Sequence, residues 1–219
     1  IIDYDNFEEE ITLKLTQLLN SKLYELITNT EKRKEIIQIS DTNTSQIEIL
    51  SHYFLTGLLP WNFQESYHSI NTIMAKQFKK NKQQLIEMLY KVGVVDENVR
   101  KRMAWQLQEP NIKKIVEALE QSNHTQIINF SEELTQIQQQ QPLVQANKND
   151  FKRNLWFWIL NYLFTDRGTI FNKVAFMKSS IKQMSNHYNV GYAELLHLIE
   201  LAIQHIQVSS STKADFIVI

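Results

Sequence analysis

Glycine and proline are so scarce in this chain, four and three in 219 residues, that one of each within four positions marks a built corner. The corner reads Tyr53, Phe54, Leu55, Thr56, Gly57, Leu58, Leu59, Pro60, Trp61, Asn62. The spacing of Ile47, Ile49, Leu50, Tyr53 and Phe54 predicts a helix that resumes around Gln46 and stops at Thr56-Gly57. A short apolar link with Pro60 and Trp61 follows, and Asn62 is placed to cap the next helix. A second version lies at Tyr162, Leu163, Phe164 and Thr165, then Asp166-Arg167-Gly168, then Ile170, Phe171 and Asn172. Tyr53, Gly57, Leu59, Pro60 and Trp61 in one corner, and Tyr162, Gly168, Phe171 and Asn172 in the other, are the candidate structural and interaction residues.

Apolar residues elsewhere recur every three or four positions, so the expected fold is all-α. Acids at Glu8, Glu9 and Glu10 sit where the first turn of a helix favours them, and Phe7, Ile11, Leu15, Leu18, Leu19, Leu23, Leu26 and Ile27 form its stripe. Asn29 to Ser45 reads as a polar connection. Further stripes run through Tyr67 to Phe78, through Leu85 to Leu89 with Gly93 as the stop, and from Asp96 through Trp105 to Leu107. Pro110 starts another helix, and Ile127 to Ile137 fades into Gln138 to Gln141 and Pro142, which read as a linker. Phe151–Phe164, 172–188 and 192–207 complete the helices, with short strands expected at Ile1 to Tyr4 and Phe216 to Ile219. The organisation expected is a first helical unit over 1–141 and a second over 142–219, or the two as one compact domain.

The two corners align beyond themselves. Asn62 and Asn172, Met74 and Met184, Phe78 and Tyr188, Leu85 and Leu195, and Ile86 and Leu196 all differ by 110. Before the corner the offset is 109, from Tyr53 to Tyr162, so the second copy carries one inserted residue. The shared unit is helix, corner, capped helix, turn, helix. A loose match between any two helical hairpins is the competing explanation.

The remaining residues point away from chemistry. A net charge of −1, from 23 basic and 24 acidic residues, lacks the basic face that nucleic-acid binding wants. The basic stretches Arg100-Lys101-Arg102, Lys113-Lys114 and Lys79-Lys80-Lys82 read as solvated helix faces. No cysteine is present, which excludes disulfides and thiolate metal sites. No apolar run reaches the ~20 residues of a membrane span. The six histidines lack zinc-protease spacing, although His197 and His205 could share a face, and no glycine loop or serine elbow occurs. An enzyme would have to work through His52, His68 or Asp166, the polar residues nearest the corners. Trp105, Trp156 and Trp158 are candidate interface residues, because large aromatics build both cores and protein contacts. Trp156 and Trp158 cannot face one direction on a helix, so that helix is buried on most sides or meets another chain.

The stretch Phe54-Leu55-Thr56-Gly57-Leu58-Leu59-Pro60-Trp61 resembles the Phe-Leu-x-Thr-Gly-x-Leu-Pro-Trp-Trp signature of contractile injection system tape measure proteins. Val99 to Leu107 looks like that family's basic helix after the corner. Tyr162-Leu163-Phe164 to Gly168, then Phe171-Asn172 and Phe176, looks like its later block, and Asn6 to Glu10 like its acidic helix start. Leu55 runs straight into Thr56 without the family's intervening residue, and Asn62 stands where the second tryptophan belongs. The resemblance implies a non-enzymatic component of a phage-tail-like particle with no cofactor and no metal. Its partners would be other protein subunits of a tube, sheath or baseplate, not nucleic acid or membrane, and its place the bacterial cytoplasm during assembly. It also implies that the chain is a piece of a longer protein, and that this compact stretch is a terminal or baseplate-associated module rather than the extended ruler. A generic helical-repeat adaptor is the alternative. Replacement of Trp61 by Ala is expected to destabilise the fold by about 3 kcal/mol.

Overall fold

The computed structural model describes residues 7–28, 43–60, 63 and 69–205. Every element among them is helical. The chain divides into two units, Ile1–Gln46 and Ile47–Ile219. The first holds α1 (Phe7–Thr28), whose Leu15, Leu18 and Leu19 are all exposed. The expected terminal strands, residues 29–42 of the expected polar connection, and Trp61, Asn62 and His68 lie outside the described residues, whereas residues 43–45 of that connection are the first turn of a helix.

The second unit contains the rest of α2 (Asn43–Thr56), then α3 (Ile70–Lys80), α4 (Lys82–Val95), α5 (Glu97–Gln106) and α6 (Glu109–Leu119). It continues with α7 (His124–Gln140), α8 (Lys148–Asn161), a π-helical turn (Tyr162–Asp166), α9 (Lys173–Tyr188) and α10 (Tyr192–His205). Local chemistry sets most boundaries. Ser69 accepts from Thr72 N to cap α3, Asp96 accepts from Asn98 N to cap α5, and Asn147 accepts from Asp150 N to cap α8. Pro110 sits in the first turn of α6, where a missing N–H leaves no helix bond unmade.

The central element is α8. Phe151, Leu155, Trp156, Trp158, Ile159 and Leu160 are all buried, because α5, α7 and α9 pack around it. A helix that is apolar nearly all round has to sit inside. One core joins it to residues from every helix of the second unit, from Leu50 and Phe54 of α2 to Ile203 of α10.

The repeat is present in the helices. At an offset of 110, α4 and α10 start together, Lys82 with Tyr192, and run in step to the last described residue, His205. Met74 and Met184 are both buried, as are Leu85 and Leu195, Leu89 and Ile199, and Val92 and Ala202. Ahead of the corners the Thr56 hydroxyl donates to His52 O and the Thr165 hydroxyl to Asn161 O, each at 2.8 Å. The offset of 109 still holds at Thr56 and Thr165, so the second copy's extra residue falls after Thr165, in the loop that leads to Asn172. The copies differ after the corner: α9 spans 16 residues and α3 only 11.

Two expected breaks are not breaks. Gly93 does not stop its helix, because α4 continues to Val95. Its role is close packing: a Cβ there would lie 2.5 Å from the Phe164 ring. Gln138 to Gln140 are not a linker but the last turn of α7. The buried Gln138 side chain accepts from Leu143 N and Val144 N and donates to Val144 O, so it braces the loop it was expected to loosen.

Candidate functional site

The first corner closes on Gly57 at φ +78°, a left-handed conformation that a side chain strains. Arg102 of α5 completes it. Its Nη1 donates to Phe54 O at 2.5 Å and to Leu55 O at 3.0 Å, the carbonyls left open where α2 ends. The guanidinium also places positive charge at the negative end of the helix dipole, worth up to about 2 kcal/mol in a partly buried setting. Its Nε lies 3.0 Å from where a Cβ on Gly57 would sit. Tyr53 is half-buried with its ring edge-on to Phe54, and burial, working against the nearby Arg102 cation, raises its phenol above the ordinary range. Leu59 and Pro60 are half-buried, Pro60 O accepts from Phe63 N, and Leu55 and Leu58 point their apolar side chains to solvent.

The second corner is an aromatic cluster. Tyr162 is buried, donates its hydroxyl to Asn172 O at 3.2 Å, and packs edge-on against Phe171 and Phe176. Burial raises the Tyr162 phenol despite that hydrogen bond. Asn172 accepts from Ala175 N at 2.9 Å and so caps α9. Gly168 has φ +67°, and Ile170 beside it is exposed. Asp166 accepts from Thr165 and Ser179. Arg167 does more than turn chemistry requires: it donates to Leu119 O at the end of α6 and pairs with Glu120 at 3.0 Å.

A third arginine works in the interior. Arg100 is buried, donates from Nη1 to Gly93 O at 2.7 Å and from Nε to Asn161 Oδ1 at 2.5 Å. Asn161 donates onward to Gln183, and Gln183 to Ser179 and Trp158 O. Burial lowers the Arg100 pKa, opposed by Glu97, Asp96 and Asp166. Arg100, Arg102 and Arg167 thus each grip the carbonyl end of a different helix. Arg100 and Arg102 therefore correct the expectation of a solvated basic face: a guanidinium's several fixed donors can satisfy helix-end carbonyls that no backbone N–H reaches. Sequence reasoning missed this because nothing in a basic tripeptide says which of its side chains points inward; Val99 and Met103 flanking Arg100 on the apolar stripe were the available signal.

Of the three tryptophans expected at an interface, Trp156 and Trp158 are both buried within this chain. Trp105 is half-buried, with Lys101 Nζ 5.9 Å and Arg153 Cζ 5.5 Å from its ring centroid. His52 is exposed, and His197 and His205 are exposed on α10. No group of His, Asp or Glu able to hold a metal ion occurs among the described residues, and no described helix is long and apolar enough to cross a membrane.

Comparison with curated proteins and with solved structures finds no match. The family model for the contractile injection system tape measure protein matches residues 1–216, nearly the whole chain and both corners. The chain belongs to the contractile injection system tape measure protein family.

Proposed function

We propose that this chain is a non-enzymatic assembly module of a contractile injection system, acting in tube length control or at the baseplate through contacts with other protein subunits. The family match over residues 1–216 carries the reading. The buried core of the second unit supports a module that docks rather than a rod lying along a tube lumen. Among the described residues, Arg102, Arg167 and the Tyr162 hydroxyl are engaged with backbone carbonyls at the corners, which favours a structural use of these groups. Leu55 and Leu58 at the first corner, and Trp105 under its two cations, are the surfaces we assign to partner subunits. The paired helical units also favour a second reading, a helical-repeat adaptor that serves some other assembly.

Electron microscopy of particles from cells whose parent gene lacks the codons for this chain separates the two. Missing tubes, or tubes of scattered length, are the expected result. Normal particles of normal length would remove the assembly role and leave the adaptor.

A further inference from the structure

The internal repeat supplies its own control for reading the surface. Helices α4 and α10 start 110 residues apart and bury matching positions, so residues 110 apart occupy equivalent places on the two. On α10 the outward positions carry Glu200 and Gln204, both exposed. Their counterparts on α4 are Tyr90 and Val94, 51% and 43% exposed. The α10 helix carries polar residues there, whereas on α4 Tyr90 meets the Phe164 ring at 6.3 Å and still leaves about half its surface, with Val94, to solvent. Together with half-buried Ile86 they lie four apart on one face. That face opens into a groove of about 390 Å³ whose wall includes Ala118 and Leu119.

We propose that this face joins two copies of the chain, through α4 packed antiparallel against its symmetry mate. The charge pattern selects a second copy as the occupant. Glu87 and Lys91 flank Tyr90 on the same face, both exposed. A two-fold axis near Tyr90 reverses the order of residues across the interface. With the axis midway between the levels of Leu89 and Tyr90, Glu87 of each copy lies within reach of Lys91 of the other, and Ile86 near Val94. The face is thus complementary to itself, as an isologous interface requires. The groove along α6 receives the tyrosine ring of the opposite copy. This interface uses none of the residues assigned to other subunits, Leu55, Leu58 and Trp105, and either can fail without the other.

Sedimentation equilibrium of the full chain from about 1 to 100 µM tests it. The wild-type chain dimerises. The double variant Tyr90→Glu with Val94→Gln, which installs the residues of the second repeat, stays monomeric with helicity and melting unchanged. Lys91→Glu alone weakens the dimer roughly tenfold by setting like charges together at two symmetric places. Adding Glu87→Lys to it restores the dimer, and because the two positions are also i,i+4 neighbours on α4, melting of the single and double variants must match the wild type for the rescue to count. A wild-type chain monomeric over the whole range, a dimer indifferent to the double variant, or a charge swap that fails to rescue would each overturn the proposal.

Discussion

At the scale of single residues, stability rests on two glycines and on the arginines that close helix ends. Gly57→Ala forces a side chain into the left-handed region and is expected to cost about 1–2 kcal/mol, read from the denaturant midpoint. Gly93→Ala drives a methyl into the Phe164 ring and costs about 1–3 kcal/mol on the same assay. Arg100→Ala leaves the buried Gly93 O and the half-buried Asn161 side chain without this donor, a loss of about 1–3 kcal/mol. A neutral result at Arg100 would show that the grip on α4 adds nothing. Gly57 was legible as a corner because a glycine near a proline in a glycine-poor chain has few other uses. Gly93 looked identical on paper and is not a stop. The difference lies in Phe164, a ring 71 residues further along that no local pattern places beside it.

At the scale of elements, the helices followed from periodicity, and so did the caps at Asp96 and Asn172, since short polar side chains reach the open amides of a first turn. The Gln run did not follow. Low complexity suggested a loose link, whereas an amide group carries both donor and acceptor and Gln138 uses both on the loop after α7. Gln138→Ala is expected to raise hydrogen-exchange rates at the Leu143 and Val144 amides while leaving those of α4 unchanged. Between helices, Glu109 of α6 is bonded by Lys152 of α8 at 2.6 Å and lies 3.5 Å from Lys113. Burial raises the Glu109 carboxyl, but Lys152 and then Lys113 outweigh it and hold it below its ordinary 4.5. A carboxyl lowered by folding stabilises above its unfolded pKa and loses that contribution as pH falls through the folded value. Melting temperature should therefore drop below about pH 4.5, less steeply in Glu109→Gln than in the wild type. Parallel curves would show that the Lys152 contact carries no linkage.

At the scale of the molecule, the all-α class and the doubled corner were legible in the sequence, because a constant offset there survives as a constant offset in helix starts and buried positions. What could not be read was which helix lies at the centre. Trp156 and Trp158 pointing apart on α8 admitted a second chain as readily as a second layer, and the packing of α5, α7 and α9 decides for the layer. The surface assigned to partner subunits is correspondingly narrow, and the first corner is where it meets the family signature. The most direct measurement is the length distribution of tubes in particles whose parent protein carries Leu55→Asp and Leu58→Asp. Both side chains are exposed, so melting of the isolated chain should stay within about 0.5 kcal/mol of wild type. The account predicts absent or unevenly sized tubes on that intact fold. Tubes of normal number and length would contradict it.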